Sequence, residues 1–193
     1  MRPEGALNSQ VFRQRSFEEW READYDSRKR IGTKPRLALE LLLHTAQRRA
    51  DVIRLGPQHI RDGVLAVRQQ KTAKTLAIPV SPALAAALEA SPSKHLTFLV
   101  TDDGTPFEPM AFTKWFRRGC DAAGLAGYSA HGMRKAACRR LAEAGCSANE
   151  IAAISGHASL REVERYTRAA DQARMAQNAM AKTRTATSGG KPG

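Results

Sequence analysis

Residues 131–167 read HGMRKAACRRLAEAGCSANEIAAISGHASLREVERYT, and their punctuation sets the order of helices near the carboxyl end of the chain. From His131 the chain favours helix to Ala144, and Gly145 stands where a left-handed C-cap is wanted. Ser147 with Glu150 forms a capping box, in which each side chain satisfies a free amide at the helix start. That box opens a helix ending at Gly156, and Ser159 with Glu162 repeats the device just before Tyr166. A last helix is expected over roughly Ala169 to Lys182. Its apolar Met175, Ala176, Ala179 and Met180 recur at helical spacing, suited to packing on its own domain.

Outward from this run, Pro109 to Ala123 reads as a helix whose buried stripe is Phe112, Trp115 and Phe116. Ser81-Pro82 opens an alanine-rich helix to about Ala90, followed by a loop to Pro106. Before it the texture is that of strands. Gln58–Ile60, Val64–Arg68 and Leu76–Val80 are short, with Val64/Ala66 and Leu76/Ile78 on alternate positions, as in strands with one buried face. Asp62-Gly63 is a hairpin signal, and the second turn falls near Lys71 to Lys74. The result is a small three-stranded antiparallel sheet. Further upstream, Thr33 and Pro35 open a helix whose Leu37, Leu41, Ala38, Leu42, Leu39 and Leu43 form overlapping apolar rows, so it belongs in the core. A short helix carrying Arg48 and Asp51 follows and ends before Gly56-Pro57. Ser16 with Glu19 caps a first helix to roughly Asp26, with a basic turn from Ser27 to Lys34. The fold class is mostly α with one small sheet (α+β). Residues 1–15 read as a linker or frayed start, 16–182 as one domain and 183–193 as a disordered tail.

Lys and Arg outnumber Asp and Glu by 31 to 19, so the formal net charge is +12. A polyanion is the first partner to consider, because each neutralised phosphate releases a condensed counterion. No apolar run approaches the roughly 18 residues that span a bilayer, and no secretory signal opens the chain. Three cysteines with no CxxC spacing (Cys120, Cys138, Cys146) disfavour a disulfide framework and a zinc site, and reduced thiols fit a cytoplasmic protein. His44, His59 and His131 lack metal-ligand spacing.

Several residues have side chains suited to chemistry, and each also has a plainer reading. His131 and Arg134 lie three apart on one helix face, where an imidazole and a guanidinium can hold one anion. The plainer reading is a helix-start histidine beside a solvated arginine. Gly156 leaves His157 on a tight turn with its ring free to enter a cleft, or to act structurally. Tyr166 stands among Arg161, Glu162, Glu164, Arg165 and Arg168, where a tyrosine ordinarily packs half-buried. Arg48 follows the buried helix, and Asp51, three residues on, is spaced to orient its guanidinium or to form a surface ion pair. Lys71 lies at the second hairpin, where edge lysines also serve to discourage aggregation.

Taken together these positions say more. The order Arg48, hairpin Lys71, His131-x-x-Arg134, Gly156-His157 and Tyr166 resembles that of the tyrosine recombinases, the family that includes phage integrases. The resemblance covers about residues 16 to 175. It is most specific in AGCSANEIAAISGHASLREVERYT (144–167) and is joined by LLLHTAQRRADVIRL (41–55) and VRQQKTAKTLAIPV (67–80). There are departures. Ala46 stands where the family often has glycine, Gln47 precedes Arg48, and Lys135 occupies a place where many relatives carry a second histidine. Only some 15 residues precede the similarity, whereas such recombinases resemble two-domain clamps. The chain is therefore expected to be the catalytic half of a longer protein, or a short or decayed relative.

The resemblance implies the DNA breaking-rejoining fold and a chemistry without metal, ATP or organic cofactor. Arg48 and Arg134 would clamp the non-bridging phosphate oxygens, His131 and His157 would add hydrogen bonds, with His131 the general base, and Tyr166 would be the nucleophile. Lys71 would be the general acid for the leaving 5′-oxygen, and the product a 3′-phosphotyrosyl link. Asp51 would support Arg48 from behind. The implied partner is double-stranded DNA, with a homo-tetramer on synapsed sites, a monomer when no DNA is bound, and no membrane. The implied setting is the cytoplasm of a prokaryote, or a phage-encoded protein. Two other readings stay open: a non-catalytic DNA-binding integrase remnant, and a topoisomerase IB-like enzyme that relaxes DNA without exchanging partners.

Overall fold

The computed structural model describes residues 32–122 and 127–188, with side chains through Thr183. The expected linker at 1–15, the helix at 16–26 and most of the basic turn lie outside the described residues. Among those described, the elements run α1 (Lys34–Thr45), α2 (Arg49–Val52), a 3-10 turn (Pro57–His59), β1 (Ile60–Arg61), β2 (Val64–Arg68), β3 (Thr75–Pro79), α3 (Pro82–Glu89), α4 (Pro109–Ala122), α5 (Ala130–Glu143), α6 (Ala148–Ser155) and α7 (Leu160–Ser188). The fold is therefore mostly helical with one antiparallel sheet in the order β1-β2-β3. The chain divides into two compact units, residues 1–137 and 138–193.

In the first unit α1 is the central helix, as its apolar rows predict: Leu37, Ala38, Leu39, Leu41, Leu42 and Leu43 are all buried. Thr33 takes the N-cap position and accepts the Leu37 amide through its carbonyl, while Pro35 sits in the first turn, where a missing N–H costs nothing. One flank of α1 is polar. Glu40 is buried and accepts from Arg36 Nε at 2.6 Å and from His44 Nε2 at 3.0 Å. His44 Nδ1 in turn lies 2.8 Å from Ser81 Oγ, and Ser81 caps α3 by accepting from the Leu84 amide. This chain of bonds fastens α3 onto α1, and the two helices pack together. Burial alone would raise the Glu40 pKa; the His44 hydrogen bond and the Arg36 charge outweigh it and hold the carboxyl below its ordinary range.

The sheet departs from expectation in two respects. Gln58 and His59 form the 3-10 turn, so β1 is reduced to Ile60–Arg61. The buried face of β2 is Leu65 and Val67, whereas Val64 and Ala66 are exposed. The register explains the parity: Leu65 pairs with Ile78 and Val67 with Leu76, so these four share the inward face. Arg68 lies on the same parity as Val64 and Ala66, and its charge belongs to the outward face, so Leu65 and Val67 form the wholly apolar side of β2. The Asp62-Gly63 turn is as expected, with φ of 49° and 72°, the doubly positive geometry of a type I′ hairpin. In α4, Phe112 and Phe116 are buried, and Phe107 and Trp115 pack on Phe112 with ring centroids 5.6 and 5.8 Å from it.

In the second unit, Gly145 (φ 91°) and Gly156 (φ 69°) occupy the left-handed positions expected of them. Ser147 and Glu150 form a complete capping box on α6, with Ser147 N donating to Glu150 Oε2 at 2.7 Å. Helix α7 packs against α6 and is one continuous helix of 29 residues. The expected separation between the Tyr166 segment and a last helix does not occur, because no proline or glycine interrupts 160–188. The same helix runs through 183–188, where a tail is expected, and residues 189–193 lie outside the described residues. Met175 and Met180 are exposed. All three cysteines are free thiols, and burial followed by the Asp121 charge pushes Cys120 up to about 12. No helix among the described residues is long and apolar enough to cross a membrane.

Candidate active site

The first unit holds a cavity of about 400 Å³ lined by Arg48, Arg49, Asp51, Gln70, Lys71, His131 and Arg134, among others. Three turns of chain supply these groups. The first is the α1–α2 junction. Helix α1 stops at Ala46, whose φ of 52° and ψ of 25° are left-handed, and the chain then extends through Arg48, the N-cap of α2 (φ −70°, ψ 151°). Arg48 thus sits just ahead of the short helix rather than within it. Its Nη1 is buried with no hydrogen-bond partner among the described residues, and so is Arg49 Nε. A buried guanidinium nitrogen without an acceptor is costly unless an anion arrives to meet it.

The second is the β2–β3 hairpin, which carries Lys71 in an exposed position at the cavity edge. The third is the start of α5. Arg134 is buried at 6% exposure, and its Nη1 donates to the carbonyl of Ala46 at 2.6 Å. One turn earlier on the helix, His131 is exposed beside the same cavity. Its pKa is lowered from the ordinary 6.5, first by partial burial and then by the charges of Lys135, Arg134 and Arg49. The imidazole is therefore biased towards its neutral, proton-accepting form near neutral pH.

Asp51 is placed differently from expectation. Its Oδ1 accepts from the backbone amide of Gln70 at 2.8 Å, and its Oδ2 is buried with no partner among the described residues. It therefore grips the lysine hairpin rather than the Arg48 guanidinium. Gln47 and Gln69, which sequence reasoning passed over as functional positions, are almost fully buried beside this site. No local signal marks them: Gln47 stands between Ala46 and Arg48, and Gln69 between Arg68 and Gln70, as surface residues commonly do.

The second unit carries the other two candidates. His157 follows the left-handed Gly156 and is half-buried, with its Nδ1 2.6 Å from Ser155 Oγ, which anchors the ring. Tyr166 is half-buried on α7, three residues after the fully buried Val163. Among the described residues no cluster of three His, Cys, Asp or Glu side chains is arranged to hold a metal ion.

Four cationic side chains (Arg48, Arg49, Lys71 and Arg134) and a single carboxylate line the cavity, a charge balance suited to an anion, with His131 at its edge. This helical architecture is that of the catalytic domains of tyrosine recombinases. A lambda integrase dimer bound to a COC′ core site superposes with a TM-score of 0.66 at 23% identity, covering 80% of this chain and 58% of that one. A lambda integrase tetramer bound to a Holliday junction matches with a TM-score of 0.61 at 26% identity, over 76% and 47% of the two chains. XerA recombinase matches with a TM-score of 0.62 at 17% identity, over 75% and 62%. The chain thus spans about half to three-fifths of the length of these proteins. Among curated proteins, none matches it by sequence. The chain belongs to the phage integrase family, whose model matches residues 18–173.

Proposed function

We propose that this chain is the catalytic domain of a site-specific DNA recombinase that cuts and rejoins strands through Tyr166. The observation that carries the reading is the convergence of Arg48, Lys71, His131 and Arg134 on one cavity in which a buried Arg48 nitrogen lacks an acceptor. A phosphodiester supplies two non-bridging oxygens to Arg48 and Arg134, which hold preorganised positive charge where the transition state gathers negative charge. The Tyr166 oxygen attacks phosphorus while His131 accepts its proton. The bond from phosphorus to the 5′-oxygen breaks, and Lys71 gives that oxygen a proton. The product is a 3′-phosphotyrosyl link and a free 5′-hydroxyl. His157 adds a hydrogen bond to the same phosphate.

Because the covalent link conserves the phosphodiester energy, a second 5′-hydroxyl reverses the step without ATP, and Arg48 and Arg134 supply the positive charge that a metal ion would otherwise provide. The lambda integrase complexes formed as a dimer on a core site and a tetramer on a Holliday junction support a homo-tetramer on synapsed duplexes here. The setting is the cytoplasm of a prokaryotic cell, where resident and incoming DNA meet.

The test is covalent trapping on a pool of nicked duplexes in EDTA and low salt, with the adduct peptide mapped by mass spectrometry. An adduct on Tyr166 that is absent in Tyr166→Phe is expected. DNA binding with no adduct, persisting when an amino-terminal DNA-binding domain is supplied, would establish a non-catalytic remnant. An adduct with relaxation but no strand exchange between two sites would establish a topoisomerase-like enzyme.

A further inference from the structure

We infer that Gln47 and Gln69 are positioning residues that lock the Lys71 hairpin to the Arg48 turn, so that the leaving-group acid and the phosphate clamp move as one body. The inference rests on the proposed role of Lys71. Gln47 Nε2 donates to the Thr45 carbonyl at 2.9 Å, and its Oε1 accepts from Gln69 Nε2 at 2.6 Å. Gln69 Oε1 accepts from Thr72 Oγ1 at 2.6 Å. At the near end Thr45 Oγ1 donates to the Leu41 carbonyl at 2.6 Å and accepts weakly from the Gln47 amide at 3.3 Å. A continuous line of side-chain bonds therefore runs from the end of α1 into the tip of the β2–β3 hairpin, across 22 residues of sequence at its central link.

Burial gives this line its weight. Gln47 is 0% and Gln69 1% exposed. An unsatisfied buried amide costs about 1–3 kcal/mol, so each glutamine is held to the partner that satisfies it. Fully satisfied buried networks of this kind specify one arrangement of the segments they join. A second tether runs parallel, from the Gln70 amide to Asp51 Oδ1 at 2.8 Å. The hairpin is closed by the Gln69 amide on the Lys74 carbonyl at 2.8 Å, with Ala73 in the left-handed region at φ 53°. The two tethers bracket the working residues on both sides. Arg48 stands between Gln47 and Asp51, and Lys71 between Gln70 and Thr72.

The need for such a device follows from the chemistry of lysine. Lys71 is exposed, and its ammonium rides on a flexible four-carbon stem. Backbone placement is therefore the main control on where the acid can reach, and displacement by about 1 Å can cost on the order of 100-fold in rate. Arg48, by contrast, is set by its N-cap position on α2 and needs no help from the hairpin.

Two measurements test the inference on the full chain. The first needs no activity: hydrogen exchange of the 69–74 amides in Gln47→Leu and Gln69→Leu. Exchange there should rise by about 10-fold or more while α1 and α4 are unchanged, as expected when a local opening loses one buried hydrogen bond. Unchanged protection of the hairpin would overturn the coupling. The second compares trapping on ordinary duplexes with trapping on duplexes whose 5′-bridging oxygen at the cleaved phosphate is sulfur, a leaving group that requires no acid. Both glutamine variants should cleave the ordinary strand at least about 10-fold more slowly and recover to near the unsubstituted protein on the sulfur-containing strand. Lys71→Ala is the reference. If Lys71→Ala recovers and the glutamine variants do not, the glutamines act elsewhere and the inference fails. If Lys71→Ala itself does not recover, it is the role of Lys71 that falls, and hydrogen exchange still decides whether the hairpin is locked.

Discussion

Arg134 Nη1 donates to the main-chain carbonyl of Ala46 at 2.6 Å, joining the start of α5 to the end of α1 across 88 residues of sequence. The acceptor is the one residue at this junction in the left-handed region, and it is 0% exposed. The conformation that ends α1 also turns the Ala46 carbonyl towards the second arginine and sends the chain on to the first. One turn of backbone therefore positions both arginines of the proposed phosphate clamp.

Ala46 should tolerate glycine and reject valine. Left-handed geometry costs a residue with a Cβ about 1–2 kcal/mol. Glycine relieves that cost but removes a buried methyl and adds unfolded-chain freedom, together about 1–2 kcal/mol in the other direction. The near cancellation predicts an Ala46→Gly stability within about 1 kcal/mol of the parent, with cleavage retained. Ala46→Val adds a β-branch to a strained, fully enclosed site and should lose about 2–3 kcal/mol, with a matching loss of cleavage. Urea unfolding and covalent trapping check both; a stable, active valine variant would show that the turn does not aim the arginines.

Cleavage should fall on the acid side through protonation of His131. Its pKa is lowered from the ordinary 6.5, so the neutral form persists to more acidic pH than in a free imidazole. The acid limb of kcat/KM reports the free enzyme, and it should lie below 6.5. Removing the Lys135 charge, the first of the charge effects, should move that limb upward in Lys135→Gln. A limb above 6.5 in the unsubstituted protein, or one unmoved by Lys135→Gln, would remove His131 from the base role.

Much of this was legible in the sequence because it depends on local rules. Gly145, Gly156, the Ser147–Glu150 box, the Asp62-Gly63 turn and the apolar rows of α1 need only their neighbours to be understood. What failed depended on distant partners. The inward face of β2 is set by Ile78 and Leu76 across the ladder, and within Val64–Arg68 its one local mark is the charge of Arg68 on the opposite parity. Asp51 has helix spacing to Arg48, yet its carboxylate answers the Gln70 amide, nineteen positions away. Gln47 and Gln69 look like surface residues until the hairpin brings them together. The continuity of α7 is a different failure. Ser159 and Glu162 correctly marked a helix start, but no signal of comparable strength marks a stop until the chain is well past Lys182.

The Glu40 cluster should be a stabilising element whose strength declines in acid. The Glu40 carboxyl titrates below its ordinary 4.5 in the folded protein, because the His44 bond and the Arg36 charge overcome the burial that would raise it. A depressed carboxylate contributes stability that is fully present above the unfolded pKa and is lost as pH falls through the folded one. Glu40→Gln should therefore cost about 2 kcal/mol near neutral pH, the scale of a lost charge-assisted hydrogen bond, and progressively less below about pH 4.5. Urea midpoints of the two proteins across that range provide the check. A difference that stays constant with pH would mean that the charge of the Glu40 carboxylate contributes nothing.

The salt dependence of DNA binding should separate Arg48 from the structural basic residues. Each phosphate neutralised releases roughly 0.9 counterions from duplex DNA, so a lost phosphate contact reduces the slope of log affinity against log salt by about 1. Arg48 has a buried nitrogen without an acceptor and lines the cavity, so Arg48→Ala should show that reduction on any duplex sequence. Arg36 and Arg139 are already paired within the chain, to Glu40 and Glu143 at 2.6 and 2.7 Å. Arg36→Gln and Arg139→Gln should therefore leave the slope unchanged within about 0.3, even where they lower stability. Binding isotherms over a salt series decide the matter without knowledge of the target site. An Arg48→Ala slope equal to that of the parent protein would mean that no phosphate enters the cavity, and the proposed chemistry would lose its substrate-binding step.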